Sequence, residues 1–263
     1  MQIGLTANSA ALALLSPMPG VDFLEGFVQE WFQPETSDKA HVSPATALRA
    51  RGFSLPAANR FLPPDLKVSG PAIDYERLDR FAATAFRRAK EHGTTLIVFG
   101  SAGARQVPEG FSHATAFEQY VDVLRQCGPL AAENGVTLLV EPLNRDECNL
   151  VNTVREGAEA VRRANTSGVK LLVDLFHMVR NGESPDDLAR PEVAPLIRHA
   201  HLAENRDRAA PGTHGDDFRP FFRALHRARY DRLLTLEPDW IDLTTQAARS
   251  VAAVRMQLAE AGF

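Results

Sequence analysis

Four segments of the chain share one arrangement of hydrophobic and polar residues. Each is a short apolar run with an acidic residue or a histidine at or near its end, and the four read VTLLVEP, VKLLVDL, IRHAHLA and LLTLEPD. Apolar runs of this length are typical of strands that are buried on both faces of a parallel sheet. Glu141, Asp174 and Glu237 close three of the runs, and His201 lies in the middle of the fourth.

The spacing of these four residues predicts a repeated βα unit. Successive members are 33, 27 and 36 positions apart, close to the ~30 residues of one strand, helix and loop. Consecutive parallel strands that close into a barrel bring their carboxyl ends to one rim. A carboxylate at the end of a buried run is costly unless a cation meets it, so we expect a basic side chain or a metal ion at this rim.

The rest of the chain supplies the remaining elements of such a barrel. The first four strands are predicted within residues 2–8, 21–27, 52–61 and 94–99. Helices are predicted at 44–51, 73–91, 117–134, 153–164, 184–188, 218–228 and 240–262. The length of 263 residues fits one (β/α)8 barrel, which typically has ~250 residues. The sequence therefore predicts an α/β protein with a single TIM-barrel domain over residues 1–263.

Composition and charge limit the kinds of molecule that the protein is expected to bind. A net charge of −4 and a pI near 6.1 give no reason to expect a nucleic acid. Cys127 and Cys148 have no paired spacing, so we expect reduced thiols rather than disulfides or a cysteine zinc site. The first basic residue is Lys39, and no apolar run approaches the ~20 residues of a membrane span. These features predict a cytoplasmic protein without a signal peptide or a membrane partner.

Three further positions admit two interpretations each. Glu25 alternates with apolar residues in the second strand and is either a salt-bridged structural residue or part of the site. Gly100 and Gly103 follow the fourth strand and either cradle a phosphate or only make room for a substrate. His199 shares a strand face with His201, one layer deeper, which favours an interior histidine that supports the site.

The segments EPLNRDE, VDLFHM, HAHLAEN and LEPDW resemble the xylose isomerase-like barrel superfamily, the sugar phosphate isomerase/epimerase group that also includes endonuclease IV. Within it, the sequence is most similar to ketose 3-epimerases of the D-tagatose and D-psicose type. The resemblance implies one divalent ion bound by Glu141, Asp174, His201 and Glu237, with the two glutamates also acting as acid and base. It further implies that Glu147 and His177 contact substrate oxygens, and that the protein forms a dimer or tetramer.

A substrate-binding arginine after the seventh strand is also implied, but the sequence departs from the family pattern there. The usual position holds Asp207, between Arg206 and Arg208. Counting back from Pro211 and Gly212 favours Arg208, with one residue inserted in the loop.

The proposed ligand set suits a hard divalent ion. Three carboxylates and one imidazole favour Mn²⁺, Mg²⁺ or Co²⁺ over a thiolate-seeking metal, with Zn²⁺ also compatible; the resemblance makes Mn²⁺ the first choice. Such an ion can chelate the carbonyl oxygen and neighbouring hydroxyl of a small sugar, free or phosphorylated, and stabilise the enediolate that forms when a proton leaves. Returning the proton to the opposite face gives an epimerase, and returning it to the adjacent carbon gives an aldose–ketose isomerase.

Three alternatives use the same barrel. A dehydratase of a cyclic polyol ketone, such as an inosose or a dehydroshikimate, shares the enediolate step but eliminates water. A DNA-repair endonuclease would need a three-zinc cluster, with extra histidines at the ends of the early strands, where this chain has Asn59 and Gly100. A binding protein on a degenerate barrel would not need the complete set of four ligands.

Overall fold

The computed structural model describes residues 1–263 and confirms the predicted (β/α)8 barrel. Eight parallel strands pair with their sequence neighbours, and the first strand pairs with the last. The strands are β1 Gln2–Thr6, β2 Phe23–Phe27, β3 Ala57–Asn59, β4 Leu96–Phe99, β5 Thr137–Val140, β6 Val169–Asp174, β7 Ile197–Leu202 and β8 Leu233–Leu236.

Ten α-helices lie between and after the strands. They are α1 Ser9–Leu14, α2 Val28–Trp31, α3 Pro44–Ala50, α4 Tyr75–Glu91, α5 Ala102–Arg105, α6 His113–Glu133, α7 Val154–Ala164, α8 Leu175–Arg180, α9 Arg219–Arg227 and α10 Leu243–Glu260. Short 3₁₀ turns occupy Pro185–Ala189, Ala194–Leu196 and Arg206–Arg208. No helix combines the length and the apolar character needed to cross a membrane.

Burial explains why the strands form where they do. The main hydrophobic core lies between the outer faces of the strands and the apolar stripes of the helices, as in the buried Leu78, Phe81, Ala85 and Phe86 of α4. A separate cluster of Val98, Leu139 and Leu172 fills the barrel interior beside β4, β5 and β6. The opposite part of the interior is polar, and this asymmetry places polar chemistry beside β7, β8 and β2.

Several predicted boundaries were wrong because a polar residue caps the next helix. The first strand stops at Thr6, since the Asn8 side chain caps α1. The helix predicted from residue 117 begins at His113, where Ser112 caps it. The last helix begins at Leu243 rather than Trp240, because Asp242 accepts from the backbone N–H groups of Thr244 and Thr245. The second and third strands lie within their predicted ranges, at Phe23–Phe27 and Ala57–Asn59.

The helix predicted after the sixth strand was misplaced. The chain enters α8 directly from β6, with Asp174 as the residue that caps it, and residues 185–189 form only a 3₁₀ turn. The consequence is that α8 carries His177 back over the barrel rim. Cys127 and Cys148 are both buried and free of disulfides, as predicted.

Candidate metal centre

The four polar residues that close the last four strands converge at the carboxyl rim of the barrel. Asp174 is the last residue of β6 and pairs in register with His201 of β7. Glu141 and Glu237 follow directly after β5 and β8. One ligand atom from each of the four residues lies within 4.8 Å of the others. The spacing read from the sequence therefore corresponds to one cluster in space.

Three of these ligand atoms are buried and have no hydrogen-bond partner. They are Oε1 of Glu141, Oδ2 of Asp174 and Nδ1 of His201. His201 Nδ1 lies 3.4 Å from Oε1 of Glu141 and 3.2 Å from Oε2 of Glu237. A buried polar atom without a partner costs ~1–3 kcal/mol, and a divalent ion bound by all four residues would remove that cost. The donor set, three carboxylates and an imidazole, fits a hard divalent cation.

The two carboxylate oxygens of Asp174 have different partners. Oδ1 accepts a hydrogen bond of 2.8 Å from the backbone N–H of Phe176 and so caps α8. Oδ2 points to the cluster, 3.4 Å from Nε2 of His177 and 3.6 Å from the Arg208 guanidinium. The helix cap fixes the side chain, and the second oxygen stays free to bind an ion.

Glu141 is positioned by two neighbours from the β4 side of the rim. A Cβ atom at residue 100 would overlap Oε2 of Glu141, so only glycine leaves this carboxylate its space. The buried guanidinium of Arg105 donates to the backbone carbonyl of Glu141 at 2.7 Å. The glycine after β4 thus makes room for a side chain of the cluster. Burial raises the pKa of Glu141 above its usual value.

Glu237 is held in its ionised form. Oε1 accepts a hydrogen bond from the Asn59 side chain, and Oε2 pairs with the guanidinium of Arg208. Burial alone would raise the pKa of Glu237, but the charges of His201 and Arg208 outweigh it and lower the pKa to about 2. For the imidazole of His201, burial acts in the opposite direction and lowers the pKa. The negative charges of Glu25 and Glu237 outweigh burial and hold the pKa of His201 well above its usual value. The cluster thus contains carboxylates of unequal acidity.

A cavity of about 750 Å³ opens above this cluster and is lined by Glu147, His177 and Arg208. Asn144 links the first two, because its side-chain amide donates to Oε1 of Glu147 at 2.8 Å and contacts Nδ1 of His177 at 2.8 Å. Arg208 stacks over the ring of Phe176 at 4.8 Å and lies 3.6 Å from Oε1 of Glu147. The cavity has room for a small polyhydroxylated molecule against the four-residue cluster.

The structure distinguishes Arg206 from Arg208, the two arginines that the sequence offered for the substrate-binding position. Arg208 reaches into the cavity, whereas the side chain of Arg206 is 74% exposed and pairs with Asp207. Asp207 and Arg208 both have positive φ angles, 58° and 45°, which turns the chain so that Arg208 faces the cluster.

Further aromatic and polar side chains near the rim lie either at the cavity or in the core. Trp240 lines the cavity and donates to the carbonyl of Thr6 at 2.6 Å. Phe61 and Phe99 are fully buried and pack on each other, 5.3 Å between ring centroids. His214 lies on the loop after β7, 3.8 Å from Asp207. Glu25 is fully buried beneath the cluster, with His199 beside it.

Sequence reasoning missed Asn59, Asn144, Arg105 and Thr235 as members of the site or its support. Asn59 meets Glu237 across 178 positions of sequence, and Thr235 meets Glu25 across 210. Only Asn144 carried a signal, since it lies within the EPLNRDE segment that already held Glu141 and Glu147.

The sequence matches the family described as xylose isomerase-like TIM barrel over residues 19–256. D-psicose 3-epimerase of Agrobacterium fabrum (strain C58) is 30% identical over 118 residues, which is 45% of this chain and 40% of the relative. The matched segment is therefore less than half of that protein's length.

Two solved structures show the same fold. D-psicose 3-epimerase with D-tagatose from Clostridium cellulolyticum H10 superposes with a TM-score of 0.78 at 20% identity, covering 99% of this chain and 98% of that one. The IOLI protein with a binding zinc atom has a TM-score of 0.71 at 18% identity, covering 99% and 98%. Because the family match extends over most of the chain, the protein belongs to the xylose isomerase-like TIM barrel family.

Proposed function

We propose that this protein is a divalent-metal-dependent isomerase that epimerises a small ketose, free or phosphorylated. The observation that carries the proposal is the convergence of three buried ligand atoms without hydrogen-bond partners and a fourth ligand, all within 4.8 Å, under an open polar cavity. The names of the relatives, D-psicose 3-epimerase and L-ribulose 3-epimerase among them, support the same reaction class.

Glu141, Asp174, His201 and Glu237 would hold the ion, and Mn²⁺ is the first choice. A divalent ion at this position would polarise a ketose carbonyl and its neighbouring hydroxyl, which makes the adjacent C–H more acidic. The IOLI protein, which has a related fold, is described with a binding zinc atom, and this supports a metal ion in a barrel of this kind.

Glu141 and Glu237 would carry the proton chemistry. Glu141 follows β5 and Glu237 follows β8, and both line the cavity, so they would face a bound substrate from different parts of the rim. One carboxylate removes the proton from one face of the carbon, and the other returns a proton to the opposite face. Arg208, Glu147 and His177 orient the substrate hydroxyl groups on the cavity wall, with Asn144 fixing the last two.

Deuterium uptake from solvent tests the proposal. Ketopentoses, ketohexoses, their phosphates, hydroxypyruvate and inososes are incubated with Mn²⁺ in D₂O and followed by NMR. Inversion with deuterium at one carbon is the expected result, and Glu237→Gln abolishes it. Glu76→Gln, on the exposed surface of α4 with a side chain 87% exposed, is the matched control and keeps full activity.

The same experiment distinguishes the other candidates. Proton transfer to the neighbouring carbon identifies an aldose–ketose isomerase, and loss of water identifies the dehydratase. No exchange with any ketose, in a protein that binds the ion, contradicts the proposal. The endonuclease finds no support at the rim, where Asn59 and Gly100 occupy the ends of β3 and β4. A cytoplasmic location and a homo-oligomer stay predictions.

A further inference from the structure

Glu25 lies directly beneath the proposed metal ligand His201, inside the barrel. It comes from β2, and its side chain is fully buried. Oε1 of Glu25 lies 3.0 Å from Nε2 of His201, and Oε2 lies 2.8 Å from Nε2 of His199. The hydroxyl of Thr235 donates to Oε2 at 2.7 Å. No lysine or arginine is paired with this carboxylate, so its partners are these two imidazoles and one hydroxyl.

The chemistry of these contacts fixes which nitrogen carries the proton. An ionised carboxylate only accepts hydrogen bonds, so an imidazole nitrogen beside it must carry a hydrogen. An imidazole that binds a metal is neutral and has one N–H, and placing this N–H on Nε2 leaves the lone pair of His201 on Nδ1. Nδ1 is the atom that faces Glu141 and Glu237 and has no hydrogen-bond partner.

We infer that Glu25 is a positioning residue, which holds His201 as the Nε2–H tautomer with its Nδ1 lone pair aimed at the metal site. The inference rests on the metal centre proposed above. Carboxylate partners of metal-bound histidines act in this way in general, by fixing both the tautomer and the ring orientation.

The surroundings of Glu25 point to orientation rather than simple burial of a charge. Thr235 pairs with His201 in the register of β7 and β8, so the hydroxyl that holds Oε2 lies at the same level as the ligand. The rings of His199 and His201 meet edge to face with centroids 4.9 Å apart, which limits rotation of His201. Glu25 thus joins β2 to the ligand on β7 across the barrel interior.

Metal affinity tests this role without any assay of turnover. Mn²⁺ is titrated calorimetrically into metal-free wild type, Glu25→Gln and Glu76→Gln, and the thermal midpoint of each metal-free form is recorded. The carboxamide offers an N–H₂ donor to one of the two imidazoles and is a weaker acceptor for the other. We expect Glu25→Gln to bind Mn²⁺ ~10–100-fold more weakly, and Glu76→Gln, whose side chain is 87% exposed on α4, to stay within threefold of wild type.

The possible results distinguish failure of the proposed metal centre from failure of the positioning role of Glu25. Wild type that binds no ion overturns the metal centre and this inference together. Wild type that binds the ion while Glu25→Gln binds it within threefold overturns the positioning role alone. A fall in the metal-free thermal midpoint without a change in affinity assigns Glu25 a structural role only.

A spectroscopic measurement on the wild type keeps the inference testable if Glu25→Gln does not fold. Histidine labelled with ¹⁵N is examined in the Zn²⁺-loaded protein, which is diamagnetic, and the His201 signals are assigned by their loss in His201→Gln. We expect a deshielded proton on Nε2 of His201 and a zinc-bound Nδ1. A proton on Nδ1, or no hydrogen-bonded Nε2–H signal, overturns the inference.

Discussion

A single glycine sets how much space the proposed ligand Glu141 has. A methyl group at residue 100 would overlap Oε2 of this carboxylate, so Gly100→Ala must displace the side chain or shift β4. We expect at least a tenfold loss of Mn²⁺ affinity, equivalent to ~1.4 kcal/mol, measured by calorimetry. Gly110→Ala is the control for affinity: no atom lies within 4 Å of the added methyl, and its positive φ of 74° should cost stability but leave Mn²⁺ affinity unchanged. Equal affinities for the two variants would contradict this.

The contribution of Arg208 to activity should depend on the planar shape of its guanidinium group as well as on its charge. Its Nε donates to the carbonyl of Glu237 at 3.1 Å while a terminal nitrogen pairs with the carboxylate of the same residue. A lysine has no planar fork and stacks poorly on Phe176. Arg208→Lys should lower kcat/KM tenfold or more, whereas Arg206→Lys, on an exposed side chain, should leave it unchanged. Comparable losses in both variants would exclude the assignment.

Residues of the site were predictable when a local pattern carried them. Glu141, Asp174, His201 and Glu237 each close a buried run, so one strand pattern placed all four at one rim. Asn59 gave no such signal, because its partner lies 178 positions away across the barrel. Alternation with apolar residues marked Glu25, but its role stayed open because His201 lies 176 positions away. Which glycine position tolerates no side chain also depends on a contact between neighbouring strands, and the sequence of one segment does not reveal that contact.

The loop after β7 is held by one buried carboxylate. Glu204 accepts from the backbone N–H groups of Gly212, Thr213, His214 and Gly215 at 2.5–3.1 Å. Glu204→Gln replaces one acceptor with a donor, and each N–H left without a partner costs ~1–3 kcal/mol. We expect a lower thermal midpoint and a raised KM, since this loop also carries Arg208. Glu260→Gln removes an exposed ion pair with Arg219 and should do neither.

At the level of elements, the last four strands were predicted more accurately than the first four. β6 and β8 coincide with largely apolar, buried runs, which end at Asp174 and just before Glu237. β7 contains one arginine and two histidines and ends one residue after His201. β3 has three residues after Pro56 and no such run. α8 was missed because it follows Asp174 directly, without a polar spacer, and a helix was predicted only later, at residues 184–188.

For the whole molecule, the bound ion should add stability. Three carboxylates gathered at the rim repel each other without a cation, and a ligand that binds only the folded state adds ~2.7 kcal/mol at 100 times its Kd. For a chain of this size we expect removal of the metal with EDTA to lower the thermal midpoint by ~5–10 °C. Glu237→Gln should show a smaller difference. No shift in the wild type would argue against a tightly bound ion.

Stability should also depend on pH through Glu183. Burial raises the pKa of Glu183 to about 7 from its usual 4.5, although the carboxylate accepts a hydrogen bond from the backbone N–H of Val154. A raised pKa in the folded state contributes stability that is full below pH 4.5 and is lost as the pH rises through 7. Glu183→Gln should therefore gain free energy of unfolding over wild type at pH 8.5 but not at pH 4.5, measured by urea unfolding in EDTA. The same difference at both pH values would exclude this titration.

The central claim is that one divalent ion is bound by the last four strands of the barrel, and anomalous diffraction tests it most directly. Crystals grown with Mn²⁺ should show one strong anomalous peak at the manganese edge, in contact with Glu141, Asp174, His201 through Nδ1, and Glu237. A rim without a peak, with these acids paired to Arg208 or to one another instead, would contradict the account.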